Sequence, residues 1–412
     1  KIEPRLLKGF RDFFGTELKN RRKVISVFQE IFEKYGFEGL ETPTLEYFDV
    51  LMGKYGEEEK LVYSFEDHGG RRVAMRYDLT VPTARVAAQY SNQIVLPWRR
   101  YQMQPVWRAD NTQKGRFREF WQCDADVIGS ESMIAEAEFI KMGIEILEKL
   151  GFKDSTVRLN NRKILNAIAQ YCGRPEKFED IVYAIDKWDK RSIDETKKDL
   201  MSRGLTEDQV TMVIDCIDTD ENNSERLSKL ENLFTNIEEG RQGIDELKQI
   251  FKLVDNSRLV YDPTIARGLA YYTGPVWEWR INEGGVGSVG GGGRYDKLIG
   301  SFTGRDLPST GGSFGIERIV EVMKDRSMFG ESEDDNEVLV TIFNEDLSSN
   351  SFEIADKLRQ KGISAFVFPG VKPLKKQFEF ANKKGIKYVI IIGEEAIGNN
   401  KVTLKNMNSG KQ

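Results

Sequence analysis

Arg267-Gly268-Leu269-Ala270-Tyr271-Tyr272-Thr273-Gly274 is followed, fifteen residues on, by Gly290-Gly291-Gly292-Gly293-Arg294-Tyr295-Asp296. One short segment carries an arginine and two tyrosines, and a run of four glycines comes after it. A guanidinium fork matches phosphate or carboxylate oxygens. Tyrosine rings can wall a small pocket, and glycine lets bare main chain approach a ligand closely. The combination suits a small anionic or zwitterionic ligand. A hairpin with a stacked arginine would use the same residues, so this segment does not decide the matter alone.

A second set lies upstream. If Phe117–Val127 is a strand, alternate residues share a face. Arg116, Arg118, Phe120, Gln122, Asp124 and Asp126 then fall on one side, and Phe117, Glu119, Trp121, Cys123, Ala125 and Val127 on the other. The second face reads as core. The first carries cations, an aromatic ring, an amide and carboxylates, which a core would hold only if each charge found a partner. It is either a binding face or a solvated one. Arg108 ends the preceding extended segment, across a loop from Arg116. Arg318 follows Gly311-Gly312-Ser313-Phe314-Gly315-Ile316-Glu317 near a helix start, where an anion is favoured. An ordinary Glu-Arg pair on an exposed turn is the alternative there.

These residues need elements to hold them. Val24, Val27, Phe28, Ile31, Phe32 and Tyr35 follow helical spacing, and Gly36 supplies a stop. Thr42-Pro43-Thr44-Leu45 reads as extended, because proline restricts its predecessor. Val62–Phe65 and Arg72–Tyr77 flank the turn Asp67-His68-Gly69-Gly70, a β-hairpin pattern. That places His68, the one histidine, in a solvated turn. Ser132–Leu150 is helical in pattern. Residues 173–256 are charged and helical, and read as an inserted helical subdomain. Strand-like, glycine-rich sequence returns over Leu259–Gly315, then Ile316, Ile319, Val320 and Met323 mark another helix.

Residues 326–336 are polar and acidic, a linker pattern. Beyond them Val338–Phe343, Ala365–Phe368 and Tyr388–Ile392 read as strands alternating with helices over Phe352–Leu358 and Leu374–Lys384. This predicts a small βαβαβ domain with a largely parallel sheet. The chain stops at Gln412, after the strand-like Lys401–Leu404, where the pattern expects one more helix.

The 412 residues, 39% hydrophobic, provide for two or three domains. No apolar run reaches the ~20 residues of a membrane span, and Lys1–Arg5 lacks the apolar region of a signal peptide. Cys123, Cys172 and Cys216 are scattered, and with one histidine they assemble no zinc site. A cytosolic, reduced protein is expected. The net charge of -5 excludes a bulk polycation. It is uneven: residues 337–412 hold 12 Lys/Arg and 8 Asp/Glu, a net of +4, leaving -9 elsewhere. The C-terminal piece is the better candidate for touching phosphates. Lys372, Lys375, Lys376, Lys383 and Lys384 cluster there around one helix, which is either a solvated face or a phosphate-contacting one. Phe366 and Phe368 read as core.

Taken in order, the motifs resemble those of class II aminoacyl-tRNA synthetases, and among them the histidyl-tRNA synthetase family. Gly36-Phe37-Glu38-Gly39-Leu40-Glu41-Thr42-Pro43 resembles motif 1, Arg108 through Asp126 motif 2, and Gly311 through Arg318 motif 3. RGLAYYTG and GGGRYD resemble two segments peculiar to the histidine enzymes. The resemblance spans essentially the whole chain. It implies an α+β catalytic domain (1–325) built on an antiparallel sheet, interrupted by the helical insertion (173–256). A linker (326–336) and a C-terminal α/β anticodon-binding domain (337–412) would follow. It implies a cytoplasmic homodimer that activates L-histidine with ATP and Mg2+ and transfers it to tRNA(His), with no zinc and no membrane.

By the same resemblance, Asp78 and Thr80 in Arg76-Tyr77-Asp78-Leu79-Thr80 hold the amino acid. Gln122 and Asp126 hold its amino group and side chain, and Tyr271 and Tyr272 line the imidazole pocket. Phe120 stacks on adenine. Arg108 and Arg267 flank the α-phosphate, and Arg116 and Arg318 meet the γ-phosphate. Two positions depart from the family pattern. Ala270 stands where aspartate is common and, by strand alternation, points away from Leu269 and Tyr271. Gly312 replaces a larger apolar residue beside the expected ATP wall. A non-charging paralogue, such as the regulatory subunit of ATP phosphoribosyltransferase, would share the fold. It would lack the C-terminal domain and tend to lose the arginines. A pure RNA-binding or signalling module would have no reason to keep the full pocket.

Overall fold

The computed structural model describes residues 2–188, 191–217, 222–266, 271–283, 285–330, 338–393 and 401–412. The chain divides into two compact units, one running to Met328 and one from Phe329.

The first unit is built on an eight-stranded sheet. Its strands are β1 (Glu38–Gly39), β5 (Trp98–Trp107), β6 (Glu119–Ile128), β7 (Ser155–Asn161), β8 (Leu259–Tyr261), β9 (Pro275–Ile281), β10 (Ser288–Arg294) and β11 (Ser309–Gly315). Their order is β1-β5-β6-β11-β10-β9-β7-β8. Every pairing is antiparallel except those at the two edges, β1 with β5 and β7 with β8. A smaller sheet, β2 (Leu45–Tyr47), β4 (Arg72–Met75) and β3 (Ser64–Glu66), contains the predicted hairpin, with His68 exposed in its turn.

One face of the large sheet is covered by helices Gly15–Lys34, Ile134–Lys149 and Ile316–Asp325. The first buries Val24, Phe28, Ile31 and Phe32 and ends before Gly36, whose φ of +76° suits glycine. Phe28 meets Phe314 of β11 at 5.1 Å between ring centroids. Phe139 stacks on Trp277, and Trp279 stacks on Phe314 at 4.2 Å. Cys123, Ala125 and Val127 of β6 face this layer and are buried. That leaves the opposite face of β6 for chemistry.

The charged stretch 173–256 forms helices Phe178–Ile185, Ile193–Ser202, Glu207–Ile217, Asn223–Leu233 and Glu238–Val254. Two start with reciprocal caps, Ser192 with Glu195 and Asn222 with Glu225, which satisfy amide hydrogens that the first turn leaves unpaired. Helix Arg162–Tyr171 leaves β7 and packs on Glu238–Val254.

The second unit has strand order β13-β12-β14-β15, where β12 is Val338–Val340, β13 Ala365–Val367, β14 Tyr388–Ile391 and β15 Thr403–Asn406. The first three are parallel, as expected, and β15 adds an antiparallel edge. Helices Ser348–Gln360 and Leu374–Lys384 cross between them. Phe366 and Phe368 both pack on Phe380, at 6.2 and 5.6 Å, and so belong to the core. Of the expected linker, residues 331–336 lie outside the described residues.

Candidate active site

The site lies on the polar face of β5 and β6. Their register sets Arg100 opposite Asp126, Gln102 opposite Asp124, and Gln104 opposite Gln122. Opposed residues share a face, so two rows of polar side chains run side by side. Arg100, Gln102, Gln122, Asp124 and Asp126 are all buried. This settles the choice left by the sequence: the polar face of β6 is an enclosed floor, not a solvated surface. The alternation holds for Phe120, Gln122, Asp124 and Asp126. It does not extend to Arg116 and Arg118, which precede β6 in a loop closed by a Gln113–Arg116 bridge.

A pocket with about 400 Å³ of open space, adjoining solvent included, stands on this floor. Asp78, Thr80, Arg108, Gln122, Asp126, Tyr271, Tyr272 and Tyr295 line it, with Gly291, Gly311, Gly312 and Ser313. The sequence thus brought together seven of its eleven candidates. Phe120 sits just beyond, half-buried, with the Arg108 guanidinium 5.2 Å from its ring centroid. Arg116 and Arg318 do not line the pocket. Arg116 is 3.7 Å from Asp110. Arg318 donates to the Ser288 carbonyl, and its Cγ lies 3.2 Å from where a Cβ on Gly115 would stand. Arg318 is therefore a neighbour of the loop that carries Arg116. Arg267 and Ala270 lie outside the described residues.

Each wall has a local cause. Asp78 Oδ1 accepts from the Val81 amide at 3.1 Å and the Tyr55 hydroxyl at 3.0 Å, so it ties down the start of helix Thr80–Gln89. Its other oxygen, Oδ2, is buried without a hydrogen-bond partner. Gln122 Nε2 donates to Ser313 Oγ at 2.6 Å, and Gln122 Oε1 is likewise unpartnered. Asp126 is ion-paired with Arg100 and accepts from the Tyr295 hydroxyl. Arg108 Nε donates to the Tyr77 carbonyl at 3.0 Å, and its guanidinium stands 4.2 Å from the Tyr77 ring centroid.

Tyr271 and Tyr272 both line the pocket although they are consecutive. A strand would point them to opposite faces, which is the geometry the sequence expected for this segment. They lie in a turn before β9 instead, and their rings meet edge to face at 5.0 Å. Burial pushes both hydroxyls up, so they stay protonated and can donate.

The glycines are explained by close approach. A Cβ on Gly311 would stand 1.9 Å from Asp126 Oδ1, and one on Gly293 would stand 2.8 Å from the Tyr272 ring. Gly312 is different: its Cβ direction runs into Trp279 at 2.8 Å. A larger side chain has no room there, because an indole from β9 fills the space, and the pocket keeps only the Gly312 main chain.

The electrostatics follow from burial. Burial raises the carboxyls of Asp78, Asp124 and Asp126 above the usual range, and Arg100 opposes the rise at all three. Asp124 is pushed up to about 8, with Asp126 and Asp78 adding repulsion and the Ser313 hydroxyl resisting it. Burial also lowers Arg76 to about 10. Arg76 donates to the carbonyls of Thr42 at 2.7 Å and Pro105 at 2.8 Å, fixing the segment that carries Asp78. Arg100, Arg76, Tyr295, Tyr55 and Ser313 were given no role from sequence. Polar alternation along Arg100, Gln102 and Gln104 was the available signal for the first. For Tyr55 there was none.

A mostly antiparallel sheet faced by helices, a buried acidic floor and an arginine at its rim define a class II aminoacyl-tRNA synthetase. The histidyl-tRNA synthetase family profile matches residues 9–319, and an anticodon-binding domain profile matches residues 337–412. The chain is 38% identical to a histidine–tRNA ligase of Cytophaga hutchinsonii, over 100% of this chain and 97% of that one. A crystal structure of histidyl-tRNA synthetase from Nostoc sp. PCC 7120 superposes with a TM-score of 0.86 at 30% identity, covering 100% of this chain and 96% of that one. The fold is shared too with an ATP phosphoribosyltransferase regulatory subunit/histidyl-tRNA synthetase from Bacillus halodurans C, with a TM-score of 0.80 at 21% identity, covering 92% and 97%. The chain belongs to the histidyl-tRNA synthetase family and is an aminoacyl-tRNA ligase specific for histidine.

Proposed function

We propose that this pocket is where L-histidine is joined to ATP, and that its residues divide the work as follows. The carrying observation is the pair of buried acceptors without donors, Asp78 Oδ2 and Gln122 Oε1. Leaving such atoms unpaired is costly, and an α-ammonium group supplies the missing hydrogens. Thr80 adds a hydroxyl at the positive end of its helix, suited to the substrate carboxylate. Tyr271, Tyr272 and Asp126 surround the imidazole, with Asp126 held by Arg100 and Tyr295. Arg108 meets the α-phosphate and Phe120 the adenine. Arg116 and Arg318, neighbours across Gly115, take the γ-phosphate. The sequence assigns Arg267 to the other side of the α-phosphate.

The histidine carboxylate attacks the α-phosphorus in line, and pyrophosphate leaves. The terminal ribose hydroxyl of tRNA(His) then attacks the acyl carbon of the adenylate, and AMP leaves. Most of the first step is positioning and charge stabilisation. Arginine suits it because the guanidinium keeps its proton. Mg2+ would come with ATP, held chiefly by phosphate oxygens.

The exposed apolar side chains Leu45, Tyr47 and Phe65 on the small sheet support a homodimer. The three cysteines are free thiols, in keeping with a reducing cytoplasm. No described helix is long and apolar enough to cross a membrane. Lys372, Lys375, Lys376, Lys383 and Lys384 are exposed around helix Leu374–Lys384 and suit contact with tRNA phosphates. The test is truncation. Removing residues 329–412 should leave histidine-dependent exchange of pyrophosphate into ATP within a few-fold of the parent. It should lower tRNA charging by a much larger factor, and increasing salt should weaken charging by the intact chain. Equal losses in both reactions would argue against a tRNA-reading C-terminal unit.

A further inference from the structure

The Gln122 amide has a donor end and an acceptor end, and β11 decides which one meets the ligand. Gln122 Nε2 donates to Ser313 Oγ at 2.6 Å. Ser313 stands directly opposite Asp124 in the β6–β11 register. In the contact with Gln122 the Ser313 oxygen accepts, which turns Nε2 toward β11 and leaves Gln122 Oε1, buried and without a partner, for the ligand.

We propose that Ser313 is a positioning residue for substrate selection. It fixes the Gln122 amide so that the pocket presents an acceptor to a ligand ammonium group. This rests on the reading that Gln122 holds the substrate's amino group. Without the hydroxyl, Nε2 is left unpaired whenever Oε1 serves the ligand, and a buried unpaired donor weakens binding. A ligand with no ammonium group does not need Oε1 and feels no such loss.

The test compares histidinol, which keeps the ammonium, with imidazolepropionate, which lacks it. Both are titrated into the full-length protein by calorimetry. Ser313→Ala should weaken histidinol by about tenfold and imidazolepropionate by less than about twofold. It should raise KM for histidine in pyrophosphate exchange with little change in kcat. Ser313→Thr, which keeps the hydroxyl, should restore histidinol binding. Equal weakening of both ligands, or of neither, overturns the proposal. Gln122→Ala separates the two layers of inference. If it leaves histidinol affinity unchanged, the ammonium reading of the pocket fails and the role of Ser313 with it. If it weakens histidinol while Ser313→Ala does not, the role of Ser313 alone fails.

Discussion

Replacing Arg108 by alanine should lower histidine-dependent pyrophosphate exchange by about 10²–10³ while leaving thermal unfolding nearly unchanged. Arg108 is set for a transition-state role before any substrate arrives. Nε is tied to the Tyr77 carbonyl at 3.0 Å, and the guanidinium stands 4.2 Å from the Tyr77 ring centroid and 5.2 Å from that of Phe120. The side chain then loses little freedom when negative charge builds on the phosphate oxygens. A donor aligned in advance acts mostly on kcat, because its interaction strengthens as charge develops. Lysine should restore only a small part of the rate, since it cannot offer a planar fork. Steady-state exchange at saturating histidine, beside a melting curve for each variant, checks both halves. Normal turnover in the alanine variant would remove Arg108 from the mechanism.

The second large effect concerns stability. Arg100→Met should destabilise the chain by about 3–5 kcal/mol near pH 8, and by much less near pH 5. Arg100 is buried and ion-paired with Asp126, and its charge holds down Asp78 and Asp124 as well. Methionine fills similar volume but leaves Asp124 and Asp126 without their buried cation, while Asp78 keeps Arg108 nearby. The pH dependence follows from the direction of the shifts. Asp124 moves from 3.8 to about 8 on folding, so the folded chain binds a proton that the unfolded chain has released. Stability therefore falls as pH rises through that window. Removing Arg100 raises the carboxyls further and steepens the fall. Near pH 5 Asp124 is neutral in the folded chain and needs no cation. Urea melts of parent and variant at pH 5 and pH 8 test this. A loss of the same size at both values would mean that Arg100 acts by packing alone.

Much of this site was legible because strands impose a period of two. The alternation from Phe120 to Asp126 placed Gln122 and Asp126 on one face, and the register confirms that face. It misled where the backbone leaves the strand. Arg116 and Arg118 precede β6 in a loop, and Tyr271 and Tyr272 lie in a turn, so strand counting does not apply to either pair. Partner residues were hidden for another reason. Arg100 and Asp126 meet only because β5 and β6 pair in a particular register, and Ser313 reaches Gln122 only through β11. Pairing between distant segments is not written in either segment alone. The departure at Gly312 became intelligible in the same way, since Trp279 fills its space from a strand more than thirty residues earlier. In the C-terminal unit the parallel strands and both helices were legible, because each buries a continuous apolar stretch or one helical face.

A crystal structure of the protein with histidinol and ATP tests the central claim most directly. The ammonium group should lie within about 3.2 Å of both Gln122 Oε1 and an Asp78 oxygen. The imidazole should sit among Tyr271, Tyr272 and Asp126, and the α-phosphate against Arg108. Histidinol bound elsewhere, or bound here with its ammonium turned away from Gln122 and Asp78, would contradict the assignment of this pocket.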